Sequence, residues 1–407
     1  MGFSDLPPAI AGQALAYLDA ESGRWAQQTG RFTKDSYSTF TWRGQLLGQG
    51  GALVTDDQIH QLVHSPDIDS LIVLSGDEAK VLDLHTGKVR HVVGTNDQPA
   101  RAVAPDGSAI LTCSETGGNA LLYSPAGQLL RTLPLSSIPR SPRAFALSAM
   151  QFKSDRESVG NWVLMDLCGP DTSYLWPPQG LQNPRSVEFI TQTPPDPLQS
   201  THDPMLNMTA PSPEHAVAII MLRSGKTWSL TQSDGLRRNM SLNLGVRPTA
   251  SAISPSGEFF AVGTQTGQLT LFPVGAVSPE EHREGPPQAL ADAQTRACAI
   301  TSVAISSCDR FIVTGSEDGT ARLWSLDVRE EAARGWIPRG WVRSRAPVPV
   351  LRRRGCIRLP SPITAVAFCE RGGFVAIGRS DGKLNLIHLG KEFRSTSGRN
   401  PLFAGGC

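Results

Sequence analysis

Apolar residues along this chain fall in short alternating runs rather than at helical spacing, and the runs are grouped. In residues 300–327 three runs of about six residues are separated by Ser307-Cys308-Asp309-Arg310 and by Glu317-Asp318-Gly319, which reads as three strands joined by tight turns. Residues 249–274 and 363–389 keep that order of parts, each with a glycine-bearing turn before its second strand and another before its third. Residues 59–84 and 100–123 repeat it again, and two fainter units lie around 144–176 and 205–230. Seven units starting roughly 40 to 60 residues apart match the interval of four-stranded blades with their loops. The pattern therefore predicts an all-β chain, a seven-bladed β-propeller of four-stranded antiparallel blades closed by the N-terminal segment.

Residues 58–395 carry the repeats, and residues 1–57 do not complete a unit of their own. Two strand-like pieces, 14–19 and 37–42, lie in that leading segment. The last unit supplies three inner strands up to Leu389, so its outer strand is expected from 37–42, with 391–395 as the other candidate. Residues 396–407 read as a C-terminal tail. Three insertions interrupt the rhythm: 177–204, rich in proline; 275–296, acidic; and 328–351, which carries two tryptophans among arginines.

Within the clearest unit, Ser316-Glu317-Asp318-Gly319-Thr320 and the strand Ala321-Arg322-Leu323-Trp324-Ser325-Leu326-Asp327 resemble the WD-repeat family of β-propellers. The resemblance implies a hydrogen-bonded blade network among a strand-three Trp, a strand-two Ser or Thr, a turn Asp and an upstream Gly-His. Trp324, Ser316 and Asp318 stand in three of those places. No Gly-His precedes Ile300, and Ser325 stands where the family's Asp follows the Trp. Elsewhere Phe272, Ile387, Leu82 and Tyr123 replace the Trp, so most blades are expected to be held by apolar packing.

Composition changes this picture little. Thirty-nine Gly and 31 Pro in 407 residues suit many short strands and turns, and a net charge of +1 directs attention to local patches rather than a global field. Seven scattered cysteines without a C-x-x-C pair point to reduced thiols, hence to the cytosol or nucleus, and away from a disulfide framework or a zinc site. The leading residues show no signal-peptide pattern, no run of about eighteen apolar residues occurs, and the sequons at Asn207 and Asn239 read as chance matches.

The strongest local chemistry is basic. Trp336, Arg339, Trp341, Arg343, Arg345, Arg352, Arg353 and Arg354 form an arginine cluster interleaved with indoles. Guanidinium groups grip carboxylates or phosphates and indoles stack, so the cluster fits an acidic protein surface or RNA; a loop merely pinned by its tryptophans remains the other reading. Ser224-Gly225-Lys226-Thr227 lacks the first glycine of a phosphate loop and precedes a strand, so it reads as a turn. His60 and His64 lack a third ligand, and Asp106, Asp318 and Asp381 sit in Asp-Gly turns. No catalytic constellation appears, and the strand-one starts facing a central channel, taken as Ile59, Arg101, Ala144, Leu206, Ala250, Ser302 and Thr364, offer few acids or bases. The expectation is a non-catalytic scaffold within a multisubunit complex, with no cofactor and no metal. An RNA-contacting propeller of a ribonucleoprotein assembly and, more remotely, a channel enzyme are the alternatives.

Overall fold

The computed structural model describes residues 50–65, 69–84, 86–104, 106–114, 119–134, 142–147, 163–167, 172–176, 185–188, 205–209, 217–222, 226–231, 235–241, 246–256, 258–273, 291–294, 298–329, 348–369 and 373–389. Among these residues there is no helix, hence none long and apolar enough to cross a membrane. The strands form seven four-stranded antiparallel sheets. Strand β1 (Ala52–Leu53) comes first in the chain. The first sheet holds β2 (Ile59–Ser65), β3 (Ser70–Ser75), β4 (Glu78–Asp83) and β5 (Val89–Val93). The second holds β6 (Ala100–Val103), β7 (Ile110–Cys113), β8 (Asn119–Tyr123) and β9 (Leu129–Pro134); the third, β10 (Pro142–Leu147), β11 (Val163–Leu167), β12 (Thr172–Trp176) and β13 (Arg185–Glu188). The fourth holds β14 (Met205–Thr209), β15 (Val217–Leu222), β16 (Lys226–Thr231) and β17 (Gly235–Ser241); the fifth, β18 (Pro248–Ile253), β19 (Phe259–Thr264), β20 (Gln268–Pro273) and β21 (Ala291–Gln294). The sixth holds β22 (Ile300–Ile305), β23 (Phe311–Ser316), β24 (Thr320–Arg329) and β25 (Val348–Arg358). In the seventh, β26 (Ile363–Cys369), β27 (Phe374–Arg379) and β28 (Lys383–His388) are completed by β1.

Burial explains why some strands read clearly and others do not. The second strands β3, β7 and β19 are buried along their whole length, because a sheet packed on both faces favours a nearly continuous apolar run. The outer strand β5 is exposed at four of its five positions, so its apolar signal is weak. The same weakness accounts for the expected insertions. Strand β13 falls inside 177–204, β21 inside 275–296, and β24 and β25 pair at Val328↔Pro349 and Arg329↔Val348, within the stretch 328–351 that the sequence suggested was an insertion.

One irregularity recurs in all seven sheets. The register between the first and second strand slips by a residue near the start of the first, which leaves His60, Arg101, Arg143, Leu206, Thr249, Thr301 and Thr364 as bulges. A bulge increases local twist and re-aims the following side chains. Its sevenfold repetition puts residues of different sheets in strictly equivalent places.

Those equivalences show how neighbouring sheets engage. Strand β2 contacts β6, β6 contacts β10, β10 contacts β14, β14 contacts β18, β18 contacts β22, β22 contacts β26, and β26 contacts β2. Three interfaces share one socket: a Cβ placed on Gly263 would lie 2.6 Å from Ile300 Cγ2, on Gly315 2.4 Å from Ile363 Cγ2, and on Gly378 2.6 Å from Ile59 Cγ2. Between the first and second sheets the sizes are reversed, with Leu74 in the glycine's place and Ala100 in the isoleucine's, both buried in one apolar cluster.

Hydrogen bonds reinforce the same seams. Thr249 Oγ1 donates to the Ile300 carbonyl at 2.6 Å, and Thr301 Oγ1 donates to the Ile363 carbonyl. Gln61 exchanges two bonds with the Val103 backbone, at 2.9 and 3.1 Å, and the Val366 N–H donates to Ser302 Oγ at 3.0 Å. Each first strand has an edge that its own sheet leaves unpaired, and these side chains satisfy part of it.

The first and seventh sheets share a buried cluster that includes Ile59, Leu62, Leu71, Ala365, Ala376 and Leu384. Strand β1 adds to β28 through Ala52↔Leu384 and Leu53↔Lys383, and the Val54 N–H continues to the Gly382 carbonyl at 3.1 Å. The outer strand of this sheet thus comes from the leading segment, at Ala52–Leu53; the expected pieces 37–42 and 391–395 lie outside the described residues.

Candidate functional site

The arginine cluster divides between two places. Trp336, Arg339, Trp341, Arg343 and Arg345 lie outside the described residues, whereas Arg352, Arg353 and Arg354 belong to the outer strand β25. Strand β25 bulges at Arg354, where Leu323↔Gly355 gives way to Trp324↔Arg353. From there Arg354 lies across onto β24, with Nε donating to Ser325 Oγ at 2.7 Å and Nη2 to the Asp327 carboxylate at 3.1 and 3.3 Å. Arg352 reaches the same carboxylate with Nε at 3.4 Å. Arg353 projects to the opposite face and makes no hydrogen bond or ion pair among the described residues.

The first sheet explains Arg354. Strand β5 bulges at Arg90 in the equivalent position, and Arg90 donates to Asp83 Oδ2 with Nη2 at 2.6 Å and Nε at 3.2 Å. Asp83 follows Leu82 as Ser325 follows Trp324. Where the sixth sheet has Ser325 in place of that Asp, Asp327 supplies the carboxylate two residues later on the same face. Arg354 is therefore a tie within its own sheet.

Deeper in the sixth sheet the expected trio does not form one network. Trp324 Nε1 donates to Thr314 Oγ1 at 3.1 Å, while Ser316 Oγ donates to the Ala299 carbonyl at 3.0 Å. Trp324 pairs with Ile312, so Thr314 is the next residue along the same face and Ser316 lies a further step away, beyond the indole's reach. Asp318 accepts from the Thr320 N–H at 3.0 Å and from Thr320 Oγ1, and Arg322 Nη2 stands 3.6 Å from its Oδ2. Burial pushes the Asp318 carboxyl up, but the bonds from Thr320 and Ser316 and the charge of Arg322 outweigh it, so the carboxyl titrates below its ordinary value. Gly319 follows with φ of 76°, and a Cβ there would come 2.5 Å from the Leu359 carbonyl oxygen, which is why the turn needs Asp-Gly.

This geometry covers the stretch that the comparisons single out. Residues 292–325 match the family model of the WD domain, G-beta repeat. The stretch resembles a WD repeat. Among curated proteins none matches the chain. WD repeats serve in general as scaffolds for protein–protein interaction and are typically non-catalytic.

Beside that stretch, the seventh sheet solves the same structural problem with a residue that the sequence reading passed over. Arg379 pairs with Ile363 as Ser316 pairs with Ile300, so it occupies the place of a serine, yet it is among the most deeply buried large side chains described. Its Nη2 donates to Asp381 Oδ2 at 2.6 Å and Ser361 Oγ at 2.9 Å; its Nη1 donates to the Gly50 carbonyl at 3.0 Å and Asn385 Oδ1 at 3.4 Å. One guanidinium thus ties together the loop between β25 and β26, the turn of its own sheet, and the backbone entering β1. The signal was present in the sequence: an arginine two residues before a turn Asp, where sister units carry Ser or Thr.

The remaining candidates fall into ordinary structural places. Asp106 Oδ1 accepts from the Ser108 N–H at 3.0 Å and from Ser108 Oγ at 2.7 Å. His60 is the bulge of β2, and His64 stands 3.6 Å from Asp69. Lys226 and Thr227 open strand β16. The expected channel-facing set mixes three registers, because the bulge is invisible in the alternation. Ile59 precedes the bulge and is buried against the seventh sheet; Arg101, Leu206 and Thr364 are bulge residues; Ala144, Ala250 and Ser302 follow it.

Proposed function

We propose that the chain is a seven-bladed β-propeller, closed by the segment that ends in Ala52–Leu53, and that it serves as a non-catalytic platform on which other protein subunits assemble. The observation carrying this reading is the circuit of first-strand contacts that returns from the seventh sheet to the first, sealed by Ile59 against Gly378 and by Arg379 on the Gly50 carbonyl. A ring locked at successive seams is stiff, so partners that bind it lose little free energy in ordering it. The five strongly exposed large hydrophobic residues among those described, Leu53, Val89, Val92, Leu129 and Leu130, all lie on β1, β5 and β9, the outer strands of three successive blades. Apolar groups gathered on one arc of a rim favour contact with protein. Five free thiols among the described residues favour a reducing compartment, the cytosol or nucleus.

Affinity purification of the native protein followed by crosslink mapping tests the reading. Stable protein partners crosslinked to the outer strands are the expected result. A protein that purifies alone at physiological ionic strength overturns it.

A further inference from the structure

Strand β25 is an unusual outer edge. It has 11 residues, whereas the other outer strands β1, β5, β9, β13, β17 and β21 have 2, 5, 6, 4, 7 and 4. At about 3.4 Å per residue it presents roughly 37 Å of edge. One side pairs with β24; the other ends the sheet, so alternate residues turn their N–H and C=O groups outward. Around that edge Arg352, Arg353, Arg354 and Arg358 are all exposed. Arg352 and Arg354 share the single Asp327 carboxylate, while Arg353 and Arg358, opposite Trp324 and Thr320, make no ion pair among the described residues. Positive charge is therefore in excess, and it flanks the open backbone on both faces.

We infer that the outer edge of β25 receives an extended acidic segment of a partner protein as an added strand. The backbone ladder provides affinity, and carboxylates alternating across the two faces meet Arg352 on one side and Arg353 and Arg358 on the other. RNA would satisfy the guanidinium groups but not the outward row of amide donors and carbonyl acceptors. The inference rests on the docking function above and specifies one of its surfaces.

The test uses the full chain and a fluorescent peptide of three Val-Glu-Glu repeats, read by anisotropy. The peptide binds, N-methylation of its alternate backbone amides weakens binding at least about tenfold, and Arg353→Glu with Arg358→Glu weakens it by a similar factor. Oligouridine of equal charge binds more weakly than the peptide. Absence of peptide binding, equal binding of the methylated peptide, indifference to the charge reversal, or tighter binding of the oligouridine each overturns the inference. Partners crosslinked only to other rims would overturn it while leaving the platform function standing.

Discussion

The proposed ring closure rests on the contact between Gly378 and Ile59, and a double-mutant cycle measures that contact. A Cβ added at Gly378 would stand 2.6 Å from Ile59 Cγ2, 3.1 Å from Ile59 Cβ and 3.2 Å from Leu62 Cδ1. Gly378→Ala therefore overpacks a seam made of core side chains rather than flexible ends, at an expected cost of about 1–3 kcal/mol. Ile59→Ala removes a fully buried side chain and costs about 2–5 kcal/mol through lost burial and a residual cavity. In the double variant the new methyl enters the space vacated by Ile59 Cγ2, so the two losses should fall short of their sum by about 1–2 kcal/mol. The molecule already contains the inverted arrangement at Leu74 and Ala100. Urea unfolding at constant slope supplies the four free energies, with Gly263→Ala and Ile300→Ala as the internal comparison. Coupling at Gly263–Ile300 together with strict additivity at Gly378–Ile59 would mean that the first and seventh sheets do not meet in solution, and the closed ring would be refuted.

Arg379→Met leaves Asp381 without its buried partner and should destabilise the fold by about 3–5 kcal/mol, with amide exchange accelerating first at residues 50–55, where Gly50 loses its tie; uniform acceleration across all sheets would contradict a local clasp. Because the folded Asp318 carboxyl titrates below its unfolded value, its contribution is complete above about pH 4 and is lost as pH falls through the folded pKa, so Asp318→Asn should narrow the stability difference between pH 6 and pH 3, and an unchanged difference would exclude the role. Burial pushes the Cys113 thiol up to about 11, against a smaller pull from Arg101, whereas Cys356 is exposed. Iodoacetamide at pH 8 should therefore modify Cys356 in the native protein and Cys113 only after denaturation, as mass spectrometry of the peptides would show.

What the sequence by itself determined is the all-β class, the grouping of short strands and the Asp-Gly turns, because these depend on local properties: alternation along a strand, and the positive φ that glycine tolerates at positions such as Gly319. Its resemblance to WD repeats was legible in residues 316–327 for the same reason, since the motif lies within one hairpin. Partners across seams were not legible. Thr314 rather than Ser316 takes the Trp324 indole because the pairing of β23 with β24 sets Trp324 opposite Ile312, one step along the face from Thr314 and two from Ser316. Arg354 looked like its neighbours in a basic run, yet the bulge of β25 turns it onto Asp327 and leaves Arg353 facing outward. Gly378 meeting Ile59 and Arg379 holding Gly50 join residues from opposite ends of the chain, and contacts of that kind depend on how whole sheets pack, which only the tertiary structure decides.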